Sequence, residues 1–147
     1  MALTPKEYEG MNQKASPNSP LGKDMLLAFL IGGAICTLGQ FFIELYTMAG
    51  LDAELASGTA SVTLVFLSVL FTGLNLYDKL ARLGGAGTLV PITGFANAVS
   101  APALEFKSEG LILGIGVKMF SIAGPVIVYG VAASVIYGLI LFLFQLF

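Results

Sequence analysis

The chain has 147 residues, 56% hydrophobic and 11% charged, with a mean hydropathy of +0.90 and a formal net charge of −2. That is room for one domain, but too little charge to cover the surface of a soluble one. The acidic balance offers no basic field for nucleic acid, and a single cysteine, Cys36, without any histidine excludes an intrachain disulfide, a thiolate zinc site and His-based catalysis. No enzymatic activity, cofactor or metal site is therefore expected.

Residues 1–22 mix Pro, Ser, Asn and charge and read as a polar cytosolic tail, with 23–147 as one integral membrane domain. Thr4, followed by Pro5 and Glu7, has the pattern of a capped helix start, so a short helix, mobile or interfacial, is expected there. The polar run up to Pro20 is unlike a cleavable signal, and the first apolar span should stay in the mature protein.

A first span is expected over about 25–46, where the chain stays apolar for roughly the 20 residues that a crossing helix needs. Residues 47–59 read as a loop carrying acid but no base, and a second span follows over about 60–77, ending at Asp78 and Lys79. Between Met25 and Tyr77 only Glu44, Asp52 and Glu54 are ionic. Lys6, Lys14 and Lys23 precede this hairpin, and Lys79 and Arg82 follow it, which places both its ends on the cytosolic side.

The stretch 83–110, LGGAGTLVPITGFANAVSAPALEFKSEG, is apolar enough for a membrane yet broken by Gly84, Gly85, Gly87, Pro91, Gly94 and Pro102. Irregular backbone at membrane depth is tolerated where protein buries it or water reaches it. A broken or re-entrant helical segment over 88–104 is expected, and a solute path would be sought there first. From Leu111 onward the chain is too long for one straight crossing and carries Lys118 and Pro125, so a short helix at 111–118 and a last span at 120–145 are expected. If Lys107 and Lys118 stay on the basic side, the broken segment dips in and returns, and the tail FLFQLF ends outside; if it crosses, the C-terminus returns inside. The fold class is all-α: a polytopic helical membrane protein with three firm transmembrane helices and four or five membrane segments if the broken region is counted.

Polar side chains inside such a chain are candidate site residues. Gly33, Thr37, Gln40 and Glu44 form one stripe on the first helix, and Ser61, Ser68, Thr72, Asn75 and Lys79 form a seam on the second. Glu44 also fits a simpler place at headgroup level, and the seam fits inter-helix hydrogen bonding. Thr93, Asn97 and Ser100 share a face if the chain is helical from Gly94, with Pro91 in the first turn of that helix. The free amides of its N-terminus could receive an anionic group, with Gly85, Gly87 and Gly94 allowing close approach. Candidates for the solute path or gate are thus Gln40, Glu44, Asn75, Pro91, Thr93, Gly94, Asn97 and Ser100. Glu105, Lys107 and Glu109 read as a solvated turn, and Gly130, Ser134 and Gly138 as a small-residue ridge for helix packing.

The run through 84–110 resembles the stage V sporulation protein AC/AE family of spore-forming bacteria. The resemblance rests on Gly84-Gly85-Ala86-Gly87, Val90-Pro91-Ile92-Thr93-Gly94-Phe95-Ala96-Asn97 and Ala103-Leu104-Glu105-Phe106-Lys107-Ser108-Glu109-Gly110. AFLIGGAICTLGQ, from Ala28 to Gln40, is similar to that family's opening helix, and the polar tail and outer loop look more like its AC than its AE branch. This resemblance implies residence in the forespore or spore inner membrane, in a complex with AD- and AE-type proteins that moves dipicolinic acid with calcium during sporulation and germination. For the AC branch it also implies a stretch-responsive, mechanosensitive channel component. Helices too few to enclose a pore would assemble as an oligomer in the lipid bilayer. A non-conducting scaffold and a coupled secondary transporter remain the alternatives.

Overall fold

The computed structural model describes residues 4–15 and 20–145. Within them the chain is helical and without strands, and three helices are long and apolar enough to cross a membrane. The part of the tail FLFQLF beyond Gln145 lies outside the described residues.

Helix α1 (Pro5–Ala15) starts with the expected capping box. Thr4 Oγ1 donates to Glu7 Oε2 at 2.7 Å, and the Thr4 amide donates to the same oxygen at 2.9 Å. These two bonds favour the carboxylate and hold Glu7 below the ordinary glutamate range.

The first long helix, α2 (Leu21–Met48), and the second, α3 (Ala53–Gly73), form the expected hairpin with a shorter connection than residues 47–59 suggested. The acidic residues there are helix-start chemistry: Asp52 is the N-cap of α3, its Oδ1 accepting from the Leu55 amide at 2.8 Å. At its other end α3 stops at Gly73, before the end of the apolar run. Asn75 turns the chain with φ of 56°, a left-handed conformation that asparagine tolerates. Helix α4 (Tyr77–Gly84) then carries Asp78, Lys79 and Arg82 on a separate axis, with an Arg82–Asp78 ion pair at 2.9 Å.

The broken segment is α5 (Ala86–Leu89) and α6 (Ile92–Glu105), with Gly85 at φ 46° before the first and Pro91 as N-cap of the second, one residue earlier than expected. Asp78, before the break, and Lys107, after it, line one groove. The two ends of the broken segment therefore lie close together. A 3-10 turn (Lys107–Glu109) and a π-helical stretch (Leu111–Gly116) lead directly into α7 (Val117–Gln145). The expected separation into 111–118 and 120–145 does not occur, because Pro125 is accommodated inside α7 and Lys118 seats its ammonium 4.0 Å from the centre of the Phe106 ring.

Lipid chains give helices no hydrophobic reason to associate, so close approach and hydrogen bonds must do it. The buried set matches: Ala56, Ala60 and Ala96 with Ser68, Thr88 and Thr93, Tyr77 being the one large side chain among them. Helix α3 is central, packed against α2 and α6. Tyr46 Oη and Thr63 Oγ1 pair at 2.8 Å between α2 and α3. Gly32 of α2 lets α5 in, since a Cβ there would lie 3.1 Å from Cα of Gly87. Neither α2 nor α7 has a fully buried residue, and many of the large apolar side chains of both are exposed.

Candidate functional site

Pro91 cannot donate a backbone hydrogen bond, and the break it makes interrupts the ladder that would pair the carbonyl of Thr88 with the amide of Ile92. In a membrane such a carbonyl needs a partner from elsewhere in the protein. Tyr77, only 4% exposed, supplies it: its Oη lies 2.9 Å from the Thr88 carbonyl oxygen and 3.1 Å from Thr93 Oγ1. The tyrosine has one proton and the carbonyl can only accept, so Tyr77 donates to Thr88 and the Thr93 hydroxyl donates back to Tyr77. From the other side Ser68 Oγ donates to the carbonyl of Thr93 at 2.6 Å.

One turn further along, Thr72 Oγ1 lies 2.7 Å from the Ser68 carbonyl and 2.8 Å from Asn97 Oδ1. A hydroxyl cannot give its single proton to both. The arrangement is satisfied with the Asn97 amide turned over, so that its NH2 donates to Thr72 while Thr72 donates to Ser68. Among the described residues, no buried side-chain nitrogen or oxygen lacks a partner.

Beyond this network Asn97 reaches the wall of a groove of about 550 Å³ lined by Thr72, Asn75, Asp78, Asn97, Glu105 and Lys107, among others. Its lining carries carboxylates, an ammonium and two side-chain amides. It sits where α3, α4 and the returning end of α6 meet, so Glu105 and Lys107 border a polar recess as well as a turn.

The remaining sequence candidates divide. Thr93 and Gly94 are buried, and Ser100 spends its hydroxyl on the carbonyl of Asn97 at 3.4 Å while bordering an apolar cleft with Val65, Val69 and Met119. The glycines approach backbone: a Cβ on Gly94 would collide with the carbonyls of Thr88 and Leu89, and one on Gly87 with that of Ala28. The start of α6 is thus faced by protein carbonyls. Gln40 and Glu44 lie elsewhere, on an exposed face of α2, with Gln40 Nε2 donating to Glu44 Oε1 at 3.4 Å. Gly130 and Ser134 line an open apolar groove on α7, where Ser134 returns its hydroxyl to the Gly130 carbonyl at 2.8 Å.

Sequence reasoning missed Tyr77 and Thr88. The available signal was a tyrosine at the edge of an apolar run, whose hydroxyl must find a partner if buried, and a lone hydroxyl residue between the glycines and Pro91.

The family model for the SpoVAC/SpoVAEB sporulation membrane protein matches residues 24–140, which takes in most of the first and last long helices and all of the second and the broken segment. Stage V sporulation protein AC of Bacillus subtilis (strain 168) is 40% identical over 144 residues, covering 95% of this chain and 94% of the relative. No solved structure matches. The chain belongs to the SpoVAC/SpoVAEB family of sporulation membrane proteins.

Proposed function

We propose that this sporulation membrane protein is a channel subunit that lets dipicolinic acid, with calcium, cross the inner membrane of the spore, and that membrane tension shifts it between closed and open states. The observation that carries the reading is the polar groove ending on Asn97, a residue of the broken segment held between the bundle and the groove. Dipicolinate is a flat dianion, and its passage needs hydroxyl, amide and backbone donors with balancing charge of both signs. Thr72, Asn75, Asn97 and Lys107 offer the donors, and Asp78 and Glu105 the acid.

One copy is too thin to enclose a path, since neither α2 nor α7 has a fully buried residue. The passage is therefore placed between copies, or between this chain and AD- and AE-type partners. Gln40 and Glu44 fit that arrangement, because a carboxylate facing lipid is costly and an assembly interface or a wet lumen relieves the cost. With the basic residues that flank the hairpin on the cytosolic side, the groove would open to that side. The reading assigns the chain transport and no catalysis.

A scaffold role is favoured by one observation, that Ser68, Thr72 and Thr93 all spend their hydroxyls within the fold. The deciding experiment is flux of calcium dipicolinate from liposomes holding the purified protein under controlled osmotic tension, alone and with partners. Tension-dependent release by the protein alone supports a channel. Release that needs partners and ignores substitution at Asn97 supports the scaffold.

A further inference from the structure

Resting on the proposed transport role, we infer that Tyr77 is the positioning residue that keeps the passage shut: its hydroxyl holds α5 and α6 in the dry arrangement, and its release wets the break. The break between Leu89 and Ile92 sets two short helices on independent axes, and something must fix their relation. Helix α5 meets α2 through the Gly32–Gly87 approach, which is backbone contact and carries no hydrogen bond. Among the described residues, Tyr77 is the one side chain from outside α5 that hydrogen-bonds to it, and the same oxygen holds Thr93 in α6. One hydroxyl thus ties α4, α5 and α6 at a single point.

The sign of the effect follows from the Thr88 carbonyl. In the dry arrangement its partner is Tyr77; in a water-filled one, water can replace that partner at little cost. Removing the hydroxyl while keeping the ring leaves the carbonyl unpaired only when the site is dry. The loss therefore falls on the closed state. A helix such as α2, whose outer face meets lipid, would move when the bilayer is stretched and draw α5 with it through Gly87. Tyr77 resists this through its bonds to Thr88 and Thr93.

The test is Tyr77→Phe in the full chain, reconstituted in liposomes, with the tension for half-maximal dipicolinate release measured beside the release at saturating tension. The expected result is release about threefold to tenfold faster at low tension, a lower midpoint, and unchanged saturating release. Thr93→Val should act in the same direction and Thr93→Ser should not. The double variant should go no further than the larger single one, because the groups act through one junction. Amide exchange over residues 86–96 in nanodiscs gives a readout that needs no flux, and Tyr77→Phe should speed it about threefold to tenfold. An unchanged or raised midpoint with unchanged exchange would overturn the inference. If the wild type passes no solute at any tension, the transport reading fails, and the exchange rates alone decide whether Tyr77 holds the break. Should Tyr77→Phe fail to insert, Thr93→Val reads the same junction from α6, with the same two results deciding.

Discussion

Gly32 of α2 and Gly87 of α5 meet backbone to backbone, and the geometry is unequal: a Cβ on Gly32 would lie 3.1 Å from the Gly87 oxygen, whereas one on Gly87 would overlap the Ala28 carbonyl. The first clash yields to a shift of a few tenths of an ångström. The second requires the two helices to separate.

Gly87→Ala should therefore destabilise the folded protein by about 1–3 kcal/mol, the usual cost of overpacking. Gly32→Ala should cost less, and Gly124→Ala, with nothing within 4 Å of a Cβ there, should cost nothing measurable. Denaturant titration in detergent micelles checks the order.

The Ser68 bond to the Thr93 carbonyl joins α3 to α6 in the most buried part of the protein. Ser68→Ala should lower stability by about 0.6–1.7 kcal/mol, the range measured for hydrogen bonds between membrane helices. Ser61→Ala, whose hydroxyl returns to its own helix at the Ser57 carbonyl, should be neutral by the same titration.

The fold was legible to the degree that it depends on apolar length and on breakers. The run at 25–46 lies within α2, the run at 60–77 covers most of α3 and the turn after it and ends on the first residue of α4, and Pro91 marks the break between α5 and α6. Asp52 and Glu54 begin α3 although the sequence around them reads as a loop, because an N-cap and a loop use the same residue types. The site was less legible. Periodicity says which residues share a face and not what that face meets, so Asn97 and Ser68 could be selected while Tyr77, bonded to a carbonyl 11 residues along, could not. Thr93, Asn97 and Ser100 do follow one helix, yet their partners in α3, α4 and their own backbone send them to different tasks.

Gly130, Ser134 and Gly138 are exposed, and a Cβ built on either glycine would meet nothing within 4 Å beyond its own helix backbone. If this ridge packs against another helix in the assembly, Gly130→Leu should leave the stability of the single chain unchanged and reduce the assembled fraction severalfold. Cross-linking in membranes together with a melt in detergent separates the two effects.

Glu7 titrates below the ordinary glutamate range because the Thr4 hydroxyl and amide both donate to it. A folded value that is depressed means the contribution to α1 is fully present above the unfolded value and is lost as pH falls through the folded one. The start of α1 should thus loosen only at pH below the usual glutamate range, and Thr4→Ala, which removes the hydroxyl and keeps the amide, should move the Glu7 titration part of the way back toward that range. Carboxyl NMR shifts of the full chain in nanodiscs give both readings.

The most direct measurement of the proposed passage places a cysteine at residue 97 in a Cys36→Ser background and follows calcium dipicolinate flux before and after a charged, membrane-impermeant thiol reagent. A cysteine at Val62, which is 69% exposed on the outer surface of α3, serves as the control. The expected result is block at residue 97, faster under tension, with no block at residue 62. Undiminished flux after complete labelling of residue 97 would remove the broken segment from the solute path.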